Sequence, residues 1–138
     1  MLYLEVLTKS IFYMNPKVLM VIRILLGIMV LVFGVNKFYA FLPAPEGMSA
    51  EAGAYFGALL SAKTMTLVAV VEVAAGLALI LNKFGALMAV ILMSVSVNAV
   101  LFHAVLDPGN ILPAIVMLVL NLVVLYEYKD KYSGMLAG

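Results

Sequence analysis

The sequence has no cysteine, no tryptophan, a single histidine and only 11% charged residues. The absence of cysteine excludes a disulfide scaffold, and one histidine without cysteine excludes a structural zinc site. The formal net charge of +1 provides no basic field, so we expect no nucleic-acid partner. Soluble domains carry about a quarter charged residues, and a small chain with far fewer cannot cover its surface with polar groups. A soluble globule is therefore excluded.

Hydrophobic residues take the place of the missing charge and make up 67% of the 138 residues. They form four apolar stretches, each long enough or nearly long enough to cross about 30 Å of hydrocarbon as a helix. These stretches are residues 18–38, 64–81, 86–105 and 111–126. We therefore predict an all-α integral membrane protein, in which residues 1–138 form one antiparallel four-helix transmembrane bundle.

The distribution of lysine predicts how the bundle is oriented. An even number of spans places both termini on one side, together with five lysines: Lys9, Lys17, Lys83, Lys129 and Lys131. The other side has only Lys37 and Lys63. Because basic residues accumulate on the cytoplasmic side, we expect both termini in the cytoplasm.

Two segments outside the spans are predicted to be partly helical. Residues 1–14 have apolar side chains at helical spacing (Leu4, Leu7, Ile11 and Met14), which is typical of a short helix in the membrane interface. The outer loop, about residues 39–63, contains the helix start Ser49-Ala50-Glu51. Its aromatic residues Tyr55 and Phe56 favour an ordered lid over the outer face.

Three polar residues fall in the inner half of the predicted bundle: Arg23, Glu72 and Asn121. Their depths allow one shared structural polar layer, so we expect Arg23 and Glu72 to contact each other or to share Asn121. Small residues beside Glu72 and on the Arg23 face favour close packing of the two helices. Two alternatives remain: Arg23 extends to the lipid phosphates, or an Arg23–Glu72 bridge only fixes the register of the helices.

A second set of residues in the outer half predicts a ligand site: Gly34, Glu72, Asn98 and His103. Glycine leaves space, and a few convergent polar groups orient a ligand in a mostly apolar pocket. His103 and Asp107 are spaced i,i+4, so the carboxylate could tune the imidazole for proton exchange, or simply hold an interfacial histidine. We predict no metal site, because His103 and Asp107 would supply only two ligands. Further ligands could come only from Glu46 and Glu51 in the outer loop.

Several strings of residues resemble the DoxX family of small four-helix membrane proteins. They are RILLG at 23–27, FGVNKF at 33–38, VEV at 71–73 with GL at 76–77, and VN at 97–98 with LFH at 101–103. The resemblance covers about residues 18–130. It implies a transmembrane bundle of the bacterial inner membrane, and some members of the family are associated with redox chemistry, including a subunit of a thiosulfate:quinone oxidoreductase.

The sequence contains no recognisable flavin, iron–sulfur or haem site, so any electron transfer needs a bound quinone or a partner subunit. The preferred hypothesis is an inner-membrane protein that binds a small hydrophobic ligand such as a quinone in support of redox metabolism. As an enzyme it would be at most a membrane subunit of a quinone-linked oxidoreductase, and no catalytic residue is assigned. The alternatives are a carrier of lipid or small solutes and a non-catalytic assembly subunit. The expected partners are membrane lipids, a soluble oxidoreductase and a second copy of the chain.

Overall fold

The computed structural model describes residues 1–12 and 14–138, while the side chains of residues 8–13 lie outside that description. Across the described residues the chain is helical and contains no strand. Seven α-helices follow one another: α1 (Leu2–Phe12), α2 (Pro16–Tyr39), α3 (Ala50–Ser61), α4 (Thr64–Leu81), α5 (Gly85–Leu106), α6 (Leu112–Glu127) and α7 (Ser133–Leu136). Short 3-10 helices occur at Pro108–Asn110 and Lys129–Tyr132.

Local capping chemistry sets several of the helix ends. The Asn15 side chain accepts a hydrogen bond from the Lys17 amide at 2.9 Å, which caps the start of α2. The Ser49 hydroxyl accepts one from the Ala52 amide at 3.1 Å, so the helix predicted to start at Ser49-Ala50-Glu51 is confirmed as α3. Between α4 and α5, Asn82 and Phe84 both adopt left-handed backbone conformations, with φ of 51° and 57°, and reverse the chain in a tight turn.

Helices α2 and α4 form the most extensive contact, and glycine makes it possible. A Cβ at Gly27 would meet the Gly76 carbonyl oxygen at 3.0 Å, and a Cβ at Gly34 would meet Glu72 Cβ at 2.9 Å. As residue numbers rise along α2 they fall along α4, so the two helices run antiparallel. Small residues let the two backbones approach more closely than larger side chains would permit.

The core lies among four helices, because α4 packs on α5, α5 on α6, and α6 on α2. Leu26, Val30, Leu79, Leu92 and Val124 are completely buried there. The outward faces of the same helices expose many large apolar side chains, which is the distribution expected of a protein surrounded by lipid.

Three helices, α2, α4 and α5, are each long and apolar enough to cross a membrane, and a fourth span is obtained only if α6 and its continuation Lys129–Leu136 are taken together. At 1.5 Å per residue, the sixteen residues of α6 cover only about 24 Å. The continuation is bent by 72° from α6. Tyr132 holds this bent segment by donating from its hydroxyl to the Ala86 carbonyl oxygen at 2.7 Å.

The amino-terminal segment contains helix α1, in which Leu4 and Leu7 are exposed. The Ile11 side chain, on which the predicted apolar face also depends, lies outside the described residues. The location of α1 in the membrane interface stays a prediction.

Candidate functional site

The Glu72 carboxylate, midway along α4, is paired with a lysine from α2. Lys37 Nζ lies 2.6 Å from Glu72 Oε2, and the Glu72 side chain is 3% exposed. Lys37 Nζ also lies 3.5 Å from the Phe33 carbonyl oxygen. The pair places two opposite charges side by side, so the carboxylate is compensated within the protein.

His103 is held near the carboxyl-terminal end of α5 by the aspartate that ends the helix. His103 Nδ1 lies 3.0 Å from Asp107 Oδ2, which confirms the pairing predicted from the i,i+4 spacing. Asp107 Oδ1 accepts a hydrogen bond from Asn110 Nδ2 at 3.0 Å, so both carboxylate oxygens are engaged. This arrangement favours a proton on Nδ1 and leaves Nε2 to exchange a hydrogen bond or a proton with another molecule.

Asn98 also lies on α5, five residues before His103. Its amide nitrogen donates to the Ser94 carbonyl oxygen at 2.7 Å, one turn earlier in the helix. The hydrogen bonds of the described residues do not engage Asn98 Oδ1. The side chain is exposed, so this oxygen is available to accept a hydrogen bond from a ligand.

A cavity of about 490 Å³ brings Lys37, Glu72, Asn98 and His103 together. The rest of its lining is mostly apolar or aromatic and includes Met48, Tyr55, Phe56, Leu59, Met65, Val68, Val95, Ala99 and Phe102. The walls come from α2, α4 and α5, and the cover from α3 and the loop before it. A mostly apolar cavity with a few polar groups has the usual character of a small-molecule site.

The cover of the cavity is attached to the turn between α5 and α6. The Ser49 hydroxyl donates to the Leu106 carbonyl oxygen at 2.9 Å, and Asn110 Nδ2 donates to the Glu46 carbonyl oxygen at 3.1 Å. Further along α3, the Tyr55 ring stacks on Phe102 with a centroid separation of 5.7 Å and an interplanar angle of 22°. These contacts hold α3 over the cavity.

Of the four residues predicted to form the ligand site, Gly34 does not line the cavity. A Cβ at Gly34 would meet Glu72 Cβ and Val73 Cγ2, each at 2.9 Å. Gly34 is therefore part of the packed contact between α2 and α4. The expectation that it leaves room for a ligand is wrong, because the approaching α4 occupies the space that the missing side chain provides.

The expected contact between Arg23 and Glu72 is also wrong. Arg23 donates from Nη1 to the Leu79 carbonyl oxygen, and its Nε lies 3.6 Å from Glu127 Oε1. Leu79 is seven residues beyond Glu72, or about 10 Å further along α4 at 1.5 Å per residue. The packing of α2 on α4 therefore places Arg23 beside the end of α4, whereas the middle of α4 is reached by Lys37.

Asn121 does not bridge these two charged pairs, so the single polar layer predicted for Arg23, Glu72 and Asn121 is not formed. All three residues are buried, but among the described residues the hydrogen bonds of the Asn121 side chain go to α5. It donates to the Ala89 carbonyl oxygen at 3.1 Å and accepts from the Ser96 hydroxyl at 2.8 Å. These bonds tie α6 to α5 through a completely buried contact.

Sequence reasoning missed the partners of both buried charges. Lys37 was visible on the same face of α2 as Gly34, but it was assigned to the flank of a span. Glu127 was placed just beyond the last span, although it is the closing residue of α6. Depth along the helices does not identify the partner of Glu72, because at about 1.5 Å per residue Glu72 lies closer in depth to Arg23 than to Lys37.

Among the described residues, no group of three or more histidine, cysteine, aspartate or glutamate side chains could hold a metal ion. The polar side chains that line the cavity can supply hydrogen bonds, a charge pair and proton exchange.

Taken together, the apolar helices and the partly polar cavity define a multi-pass helical membrane protein with a candidate small-molecule site. The model of one family, DoxX, matches residues 18–104, which is more than half of the chain, and the protein therefore belongs to the DoxX family. The matched segment contains the cavity residues Lys37, Glu72, Asn98 and His103. Neither a curated protein nor a solved structure shows significant similarity to the chain.

Proposed function

We propose that the cavity binds a small, largely apolar molecule with a hydrogen-bonding headgroup. The ligand class that we propose is a quinone, bound in support of redox metabolism. The observation that carries this proposal is the presence of Lys37, Asn98 and His103 together on the lining of a mostly apolar cavity of about 490 Å³. Such a space matches the volume and polarity of sites for small apolar ligands.

The polar groups supply complementary contacts for the two carbonyl oxygens of a quinone. The Lys37 ammonium has three donors, of which one is used by Glu72 and a second by the Phe33 carbonyl oxygen, and Asn98 Oδ1 can accept. His103, with Nδ1 held by Asp107, can give or take a proton at Nε2. Because the chain has no recognisable redox centre of its own, the electrons would come from a partner, and a soluble oxidoreductase is the kind of partner we propose.

We further propose that α6 is the fourth span of an antiparallel four-helix bundle in a bacterial inner membrane, with both termini in the cytoplasm. The lysine distribution supports this orientation, because five lysines flank the side of the termini and two flank the other. It places the lid helix α3, and the cavity beneath it, on the outer half of the membrane.

Cysteine labelling tests this orientation directly, because the native chain has no cysteine. In intact cells, an impermeant maleimide should label Ala44→Cys, in the loop before α3, and should leave Ala137→Cys unlabelled until the cells are opened. Both are exposed alanines, which makes the two variants a matched pair. Labelling of Ala137→Cys alone would reverse the proposed orientation.

Ligand binding to the purified protein tests the proposed site. Saturable binding of a soluble benzoquinone should weaken about tenfold in Asn98→Leu, a difference of about 1.4 kcal/mol, because the substitution removes the polar group while nearly keeping its volume. The control is Val97→Leu, which introduces the same residue at a neighbouring, exposed position of α5 that does not line the cavity.

Equal affinity in the wild type and Asn98→Leu would place the ligand elsewhere. The absence of saturable binding in the wild type would overturn the quinone proposal and favour an assembly subunit. Gly34→Leu is unsuitable for this test, because the substitution would separate α2 from α4 and alter folding.

A further inference from the structure

A second hollow of about 280 Å³ adjoins the cavity on the side of α3 and α5. The two hollows share three lining residues, Tyr55, Asn98 and Phe102. Beyond these, the second hollow is lined by apolar side chains of α5, including Leu101 and Val105. The cavity and the second hollow thus adjoin at the side chains that belong to both linings.

The second hollow lies on the outward face of α5. Leu101 is 58% exposed and Val105 is 67% exposed, and both belong to helix α5, which is apolar enough to cross the membrane. In a bilayer this face is in contact with hydrocarbon, so the second hollow opens towards lipid acyl chains. An aqueous ligand would not need an apolar passage at this position.

Tyr55 and Phe102, whose rings stack on each other, line both hollows. Tyr55 is 46% exposed, so its side chain is only partly packed against neighbours. Rotamer changes of exposed side chains take place within nanoseconds and require no movement of a helix. Displacement of this one ring would join the cavity to the lipid-facing hollow.

We propose that the gap between α3 and α5 is a lateral portal and that the ligand is an amphiphile. Its headgroup occupies the cavity. Its hydrocarbon tail passes beside Tyr55 into the second hollow and from there into the bilayer. This inference rests on the proposed function and adds the tail and its path. The polarity of the two hollows supports the assignment, because the polar residues Lys37 and His103 line only the cavity, whereas the apolar residues Leu101 and Val105 line only the second hollow.

The test compares two probes, a benzoquinone with a decyl chain and the same benzoquinone with a methyl group in its place. Leu101→Trp fills the second hollow, and Leu67→Trp is the matched control, since Leu67 is 64% exposed on α4 and lines neither hollow. Binding is measured in lipid nanodiscs, with each probe compared only between variants, so that its partition into lipid cancels.

The decyl probe should bind Leu101→Trp about tenfold more weakly than Leu67→Trp, whereas the methyl probe should bind the two variants equally. Equal binding of the decyl probe to both variants would overturn the portal and leave the proposed function intact. An equal loss of both probes in Leu101→Trp would place the headgroup itself in the second hollow and also overturn the assignment. Failure of both probes to bind the wild type would overturn the proposed function and the portal together.

Discussion

Replacing Lys37 by methionine should lower the free energy of unfolding by about 3 to 5 kcal/mol, because the substitution leaves the Glu72 carboxylate buried without its partner. Lys37 Nζ is 2.6 Å from Glu72 Oε2, and the glutamate side chain is 3% exposed. Methionine keeps most of the length of the lysine side chain and removes only the charge. Unfolding by a denaturing detergent, followed by far-UV circular dichroism, measures the loss.

The double variant Lys37→Met/Glu72→Leu should be less destabilised than Lys37→Met alone, because removal of both charges leaves neither one uncompensated. Lys83→Met is the control, since Lys83 is exposed in the turn between α4 and α5. Its effect should be within about 0.5 kcal/mol of the wild type, as for most surface substitutions. If the loss of stability in the double variant equals the sum of the losses measured for Lys37→Met and for Glu72→Leu, the two charges do not interact.

Gly76→Ala should destabilise the protein by about 1 to 3 kcal/mol through overpacking of α2 against α4. A Cβ at Gly76 would lie 2.7 Å from Leu31 Cβ and 2.8 Å from the Gly27 carbonyl oxygen. The second of these contacts is with backbone, which cannot rotate away as a side chain could. The two helices must therefore separate, and the midpoint of thermal unfolding in detergent should fall.

Gly57→Ala on α3 provides the matched control for this substitution. A Cβ at Gly57 would have no neighbouring heavy atom within 4 Å, so the added methyl group meets open space. Alanine is favoured over glycine in a helix by about 0.5 to 1 kcal/mol, so this variant should be as stable as the wild type or slightly more stable. Equal destabilisation by the two substitutions would show that close packing at Gly76 is not the cause.

The local features of the fold could be predicted from sequence because they depend on neighbours along the chain. The helices α2, α4, α5 and α6 begin and end within two residues of the apolar stretches, since hydropathy and capping residues act over a few positions. The pairing of His103 with Asp107 follows from helical spacing alone. Glu72, Asn98 and His103 were also recognised as candidates, because polar residues in apolar helices are few.

The partners of the buried charges were decided only by tertiary structure. Helical periodicity gives the face of each residue and its approximate depth, but it does not give the register of one helix against another. That register is set by the close approach of Gly27 and Gly34 to α4. It places Lys37 beside Glu72 and Arg23 beside Glu127. Because of the same close approach of the two helices, Gly34 does not line the cavity. Sequence by itself therefore determined an apolar, helical membrane protein with a few polar groups, and side-chain packing between distant segments decided which of those groups meet.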